Sequence, residues 1–414
     1  MTQTPREKPI HVQMDQFRSE AGELLVGGIP LERLATRIGQ TPFYAYDRAL
    51  LTERATALRA ALPAGIKLHY AMKANPMPAV VQHMARLVDG IDVASARELQ
   101  VALDSGADPR EISFAGPGKR HDELRQAVAA GILINIESFR EVTELGAIRQ
   151  ATGWPVRVAV RVNPDFELKS SGMKMGGGPK QFGVDAEQVP DLLAEIGKQG
   201  LAFEGFHLFA GSQNLRPEAI VEAQRKSFEL ALKLAEHAPS PVRFLNLGGG
   251  FGIPYFPGEQ RLDITSIADN LATIQREAAE KMPDAEIVIE LGRYLVGEAG
   301  IYVCKVIDRK VSRGHTYLVT DGGLHHHLSA SGNFGQVIRK NYPVSVGNRM
   351  GQPADDTVSV VGPLCTPLDI LADRMELPHA QPGDYVVVYQ SGAYGATASP
   401  RGFLSHPDLV EVLV

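Results

Sequence analysis

Cysteine is scarce: the 414-residue chain has two, Cys304 and Cys365, beside a single tryptophan, Trp154. Two cysteines make no disulfide framework, which excludes the small secreted scaffolds and fits a reducing cytoplasm. No apolar stretch approaches the roughly 18–20 residues of a membrane span. The opening MTQTPREKPIHVQMDQF has no apolar core that would serve as a signal peptide. Basic runs are missing too. The 42 Lys and Arg stand against 48 Asp and Glu, a formal net charge of −6, so neither nucleic acid nor an anionic membrane is an expected partner. What remains is a mildly acidic globular composition, free of tandem repeats and low-complexity linkers, at a length that points to two domains.

From about residue 65 to 292 one theme recurs: a short β-branched run, a polar or glycine-containing turn, then a helix-period stretch. The runs are IKLHYA (66–71), GIDVA (90–94), ISFA (112–115), ILINI (132–136), VRVAVRV (156–162), FEGFHLF (203–209), RFLNL (243–247) and EIVIEL (286–291). Eight alternating units predict a (β/α)8 barrel of parallel strands ringed by helices. Val80, Val81, Met84, Leu87 and Val88 follow helical spacing, and Gly90, Gly106 and Gly131 are expected as left-handed helix ends. After about residue 300 the strand-like runs YVCKVI, TYLVT, TVSVVG, DYVVVYQ and DLVEVLV are separated by loops, which predicts a mostly antiparallel β-domain. The expected division is an N-terminal segment 1–40 joining that β-domain through ELLVGG, a barrel over 41–298, and the β-domain proper over 299–414.

In such barrels the active site is built by loops leaving the C-terminal ends of the strands. Here those ends carry YAMKANP with Lys73, the glycine run Gly248, Gly249 and Gly250, and Glu290-Leu291-Gly292-Arg293. Alone, Lys73 reads as a solvated surface charge and the glycines as a flexible turn. Together they suggest more. A lysine partly desolvated at a barrel mouth can act as a neutral amine toward an aldehyde. Successive glycines expose backbone N–H groups that suit a phosphate, for which Arg293 adds a bidentate clamp. Glu290, at a strand end, needs a cationic partner. A reactive lysine, a phosphate cradle and a carboxylate at one rim match the needs of pyridoxal 5'-phosphate, whose ring nitrogen stays protonated opposite an anion.

These residues resemble the fold-type III, alanine-racemase-like pyridoxal-phosphate decarboxylases, which include diaminopimelate, ornithine and arginine decarboxylases. The resemblance runs over roughly residues 40 to 405. It implies that Lys73 carries the cofactor, and that Glu290 to Arg293 is the family's E-P-G-R motif with Leu291 in place of proline. HLFAGSQ (207–213) is similar to the segment whose serine, here Ser212, binds phosphate, and Tyr394 in Gly392-Ala393-Tyr394 matches a further phosphate ligand. Gly362-Pro363-Leu364-Cys365-Thr366 matches G-P-x-C-[DE]. A cysteine after TVSVV would by itself read as inert core. The resemblance makes Cys365 the group that reprotonates the substrate carbon, supplied by the partner subunit, and so implies a homodimer with shared sites.

Two positions depart from the family pattern. The histidine that stacks on the cofactor ring is replaced by Phe209, which packs but transfers no proton. His207 lies on the same strand face, either near the substrate or as a satisfied barrel histidine. After the cysteine, relatives place an Asp or Glu that reads a distal ammonium; here it is Thr366, with Asp369 the remaining candidate. An unpaired buried cation costs several kcal/mol, so a neutral distal end is expected. CTPLD and the loop KSSGMKMGGGPKQFG (169–183), a candidate lid, resemble decarboxylases found beside exosortase systems and those acting on glutamate tethered to an acyl carrier protein. The expected activity is therefore decarboxylation of an amino acid, free or carrier-bound. A free diaminopimelate or basic amino-acid substrate, a racemase and a non-catalytic pyridoxal-phosphate protein are the alternatives. Glu290 argues against a racemase, where an arginine faces the ring, and Lys73 with Cys365 argues against a non-catalytic role. A lysine-imine aldolase would leave the cysteine motif unexplained. The His325-His326-His327 run, read as a strand, alternates faces and has no partner spacing for a metal; a substrate-loop or dimer-interface role is expected.

Overall fold

The structure is a computed structural model, and it describes residues 9–166, 173–174 and 176–414. The chain forms two compact units, one made of residues 52–252 and 262–295, the other of 1–51, 253–261 and 296–414.

The first unit is the expected barrel. Its strands are β1 (Lys67–Ala71), β2 (Gly90–Val93), β3 (Ile112–Phe114), β4 (Leu133–Ile136), β5 (Arg157–Asn163), β6 (Ala202–Leu208), β7 (Phe244–Gly249) and β8 (Glu286–Leu291). Each pairs in parallel with the next, and β8 pairs with β1 to close the cylinder. Nearly every residue of β1 to β4 is buried, because helices cover the outside while side chains fill the inside. The covering helices begin and end on local signals. Ser95 and Ser138 cap Ala96–Asp104 and Phe139–Thr152 by accepting from the amides of Glu98 and Glu141. Gly131 ends His121–Ala130 at φ 71°.

Gly90 is no helix end. It lies inside β2, where a Cβ would overlap the His69 ring and the Glu111 carbonyl. The helix expected over 78–89 accordingly stops at Met84.

The second unit is a sheet in which Gly300–Ser312 is the long central strand. It pairs antiparallel with His315–Thr320, Tyr385–Val388 and Phe43–Tyr46. Two pairings are parallel, His315–Thr320 with Asp356–Val361 and Val410–Leu413 with Phe43–Tyr46, so the sheet is mixed. Because Phe43–Tyr46 belongs to this sheet, the boundary expected near residue 40 falls near 51. Its core joins Leu24, Val26, Leu31 and Leu34 to Phe43, Ile301, Val303 and Val387. Strand Ile370–Leu377 had no sequence signal, since LADRME interleaves charges with few branched residues. Among the described residues no helix is long and apolar enough to cross a membrane.

Candidate active site

Each barrel strand turns at least one polar side chain into a buried position: His69, Asp92, Ser113, Asn135, Arg161, His207, Asn246 and Glu290, from β1 to β8 in order, with Asn163 a second on β5. Barrels of this kind are usually filled with branched aliphatics, and buried polar groups persist where they pair with one another. Here all of these eight but Arg161, which pairs with Glu137, pair in two arcs.

In the first arc His69 Nδ1 lies 2.9 Å from Asp92 Oδ1, the Ser113 hydroxyl donates to the same oxygen at 2.6 Å, and the Asn135 amide donates to Ser113 Oγ at 3.2 Å. Burial pushes the His69 pKa down, but the Asp92 carboxylate, with the charges of Glu111 and Glu290, outweighs this and raises it above 6.5.

In the second arc Asn246 Nδ2 donates to Glu290 Oε2 at 3.2 Å, and His207 Nε2 stands 3.1 Å from that oxygen. Burial alone would push the Glu290 carboxyl up. The His207 ring, with the charges of Lys73 and Arg161, outweighs burial and holds it well below the usual carboxylate range. Glu290 is thus an anion inside the barrel.

Above this layer lies the rim. Lys73 follows β1 on the short 3-10 turn Met72–Ala74 and is exposed, so the expected partial desolvation is not a property of the chain alone. Its Nζ lies 5.7 Å from the centre of the Phe209 ring. Glu98 is close enough for the Lys73 charge to oppose the upward push that burial gives its carboxyl. Just past β8, a Cβ on Gly292 would meet Ala74 Cβ at 2.8 Å and the Ala71 carbonyl at 2.9 Å, so the turn carrying Arg293 presses on the turn carrying Lys73. Arg293 opens the short helix Arg293–Val296.

The glycine run is threaded against the end of β6. A Cβ on Gly248 would come within 2.8 Å of the Leu208 carbonyl and 2.9 Å of the Phe209 ring. On Gly249 it would strike the Glu290 carbonyl, and on Gly250 the Gly211 carbonyl. Gly248 and Gly250 also have φ of 70° and 75°, backbone that side chains rarely adopt. The Asn214 amide donates to Gly250 O at 2.9 Å and the Gly252 amide to Asn214 O at 2.8 Å, which ties the glycines to the Gly211-Ser212 segment. Lys73, Phe209, Ser212, the three glycines, Glu290, Gly292 and Arg293 therefore occupy one end of the barrel. A cavity of about 420 Å³ is at the other end of the barrel, among the strand starts, where Lys67, Glu111, Arg157, Glu204 and Glu286 pair with one another.

Cys365, Thr366 and Asp369 lie in the sheet unit, on the loop 362–369 that joins Asp356–Val361 to Ile370–Leu377. Cys365 is exposed and free. Tyr394 belongs to this unit also, its carbonyl accepting from Ser329 Oγ at 2.9 Å. The three consecutive histidines sit in a turn rather than a strand, so they do not alternate: all three are buried. His327 Nε2 is 2.8 Å from Ser391 Oγ and His326 Nε2 is 3.1 Å from Pro407 O. Burial pushes His325 and His326 down to about 4 and His327 to about 3. They are neutral core groups at pH 7. Among the described residues no cluster of His, Cys, Asp or Glu is arranged to hold a metal.

Several paired polar positions at this end of the barrel had gone unnoticed in the sequence. Arg161 donates to Glu137 at 3.0 Å and packs over the Phe182 ring at 5.0 Å. Glu137 also accepts from the amides of Gly116 at 2.6 Å and Gly183 at 3.0 Å, tying the end of the expected lid to the barrel. Asn163 accepts from the Gly177 amide at 3.1 Å and donates to the Gly178 carbonyl at 2.9 Å. Of that loop, 169–172 and 175 lie outside the described residues. A signal was available: Asp92 in GIDVA, Arg161 in VRVAVRV and Asn246 in RFLNL are polar residues inside apolar strand runs, where polarity without a partner is costly.

Residues 48–297 match the family model for the pyridoxal binding domain of pyridoxal-dependent decarboxylases. The chain belongs to this family. It is 37% identical, over 91% of its length and 90% of the relative's, to the L-glutamyl-[BtrI acyl-carrier protein] decarboxylase of Niallia circulans. It is 33% identical to the diaminopimelate decarboxylase of Aquifex aeolicus, over 95% and 91% of the two chains. Among solved structures, the Helicobacter pylori diaminopimelate decarboxylase in complex with L-lysine is similar at a TM-score of 0.81 and 28% identity, over 92% and 94% of the two chains. The protein is a pyridoxal-phosphate-dependent amino-acid decarboxylase with the expected fold. Its barrel rim fits that cofactor on structural grounds. The three glycines let the chain pass close against neighbouring carbonyls where any Cβ would collide, a buried carboxylate is held ionised nearby, and an exposed lysine stands beside an aromatic ring.

Proposed function

We propose that this decarboxylase acts on an amino acid whose far end carries no positive charge, with glutamate tethered to an acyl carrier protein as the leading substrate. The observation that carries this reading is Thr366 beside Cys365, where the resemblance puts a carboxylate for a distal ammonium. An unpaired buried cation would cost several kcal/mol there. The similarity to a decarboxylase named for a carrier-bound glutamyl group supports the same substrate class.

Lys73 would hold the cofactor through its amine, with the Phe209 ring packed beside it. The amides of Gly248–Gly250, the Ser212 hydroxyl, Arg293 and Tyr394 would hold its phosphate, and Gly292 keeps the Arg293 turn close to Lys73. Bound pyridoxal phosphate supplies the electron sink that makes loss of the α-carboxylate possible. Glu290, held as an anion beside His207 and Asn246, would stabilise a proton on the cofactor's ring nitrogen. Phe209 has no proton to give. The Cys365 thiol then delivers one to the substrate's Cα. Family resemblance supports a homodimer in which Cys365 serves the partner's site, and the free thiol of Cys365 suits the cytoplasm.

The test is kcat/KM for carrier-bound glutamate against free ornithine, lysine, arginine and diaminopimelate, with one enzyme preparation. The carrier-bound substrate is expected to win clearly, and Thr366→Asp to move the preference toward a dibasic acid. A clear preference of the unmodified enzyme for a free dibasic acid would overturn the reading.

A further inference from the structure

The loop 362–369 is short, carries the exposed Cys365 at its crown, and closes on one side chain. Its ends meet where the Gly362 amide donates to the Asp369 carbonyl at 3.1 Å, next to the register pair Val361 and Ile370. The Asp369 side chain folds back beneath the crown and is 2% exposed. One carboxylate oxygen, Oδ2, accepts from the Leu364 amide at 2.8 Å, immediately before Cys365. The other, Oδ1, accepts from the Leu324 amide at 2.6 Å, in the turn that carries the three histidines. Space for the carboxylate exists only because two neighbours lack a side chain: a Cβ on Gly323 or on Gly362 would collide with it. The crown adds the Thr366 amide donating to Leu364 O at 2.8 Å, and Thr366 Oγ1 accepting from the Leu368 amide at 3.3 Å.

We propose that Asp369 is a positioning residue: its carboxylate, clamped between the Leu324 and Leu364 amides, sets the conformation of loop 362–369 and so aims the Cys365 thiol. The proposal rests on the reading of Cys365 as proton donor. It also assigns the one carboxylate of this loop to the backbone, and so denies it to the far end of a substrate. A charged acceptor between two buried amides is a strong anchor. Replacing one oxygen by an NH2 sets donor against donor, and the orphaned amide loses its compensation.

The experiment compares holoenzyme of the unaltered chain with Asp369→Asn, using the preferred substrate and, separately, iodoacetamide. Cys304 is fully buried, and peptide mapping assigns the alkylation to Cys365. The expected result is a kcat roughly 10- to 100-fold lower, the size of a modest misplacement of a reacting group, with KM little changed and a several-fold change in the alkylation rate of Cys365. Gly323→Ala, whose new methyl presses on the same carboxylate, is expected to act in the same direction and serves if Asp369→Asn yields no folded holoenzyme. A folded variant with unchanged kcat and unchanged alkylation overturns the proposal. So does a variant whose KM for a cationic amino acid rises while kcat and alkylation stay put, because that is the behaviour of a substrate-reading carboxylate. Full activity in Cys365→Ala would instead sink the proton-donor reading and leave the alkylation arm to judge the clamp by itself.

Discussion

Replacing Asp92 by Asn removes the carboxylate that pairs with the His69 ring. The two side chains are 2% and 6% exposed and meet at 2.9 Å, and His69 Nε2 makes no hydrogen bond. Taking one partner from a buried ion pair typically costs about 3–5 kcal/mol. At roughly 2–4 °C per kcal/mol for a domain of this size, the barrel's melting transition should fall by about 6–20 °C. The His69 pKa is raised in the fold: burial lowers it, and Asp92 foremost, with Glu111 and Glu290, outweighs burial. Stability from a raised histidine is fully present below its unfolded pKa of 6.5 and is lost as pH rises through the higher folded value. The penalty of Asp92→Asn should therefore be largest in acid and shrink toward alkaline pH. Melting curves of both proteins without cofactor, recorded from about pH 5.5 to about pH 9.5, read this difference directly. A penalty that stays constant or grows with pH would refute the ion pair.

The enzyme with its cofactor should absorb near roughly 420 nm, and Lys73→Ala should abolish borohydride trapping of the cofactor; retained covalent labelling would remove Lys73 from its role. Mixing inactive Lys73→Ala and Cys365→Ala chains should restore activity through hybrid dimers, and no recovery despite proven subunit exchange would exclude shared sites. Gly250→Ala should weaken cofactor binding, measured by equilibrium titration, because its methyl would collide with the Gly211 carbonyl; unchanged affinity would show that the glycine run does not shape the phosphate cradle.

The eight strands were legible because each apolar run is bounded by turn residues and followed by a helix-period stretch, and local patterning alone specifies such units. The rim was legible for a related reason: Lys73, Gly248–Gly250 and Glu290 to Arg293 lie at the ends of strands, so the barrel's geometry gathers them at one end without further information. What local patterning cannot express is pairing between strands. His207 reads equally well as a substrate residue or a core histidine until Glu290 is found 3.1 Å away. Asp92, Ser113 and Asn135 look like flaws in apolar runs until closure of the barrel makes them neighbours. Gly90 looked like a helix end because its sequence neighbours say nothing of the His69 ring that fills the space of its missing side chain. The three histidines were misread for the converse reason: alternation applies to strands, and a turn that buries all three leaves no periodic trace. Sequence determined which residues lie at strand ends; only the closed structure decided which buried charges neutralise one another, because that depends on distances across strands far apart in the chain.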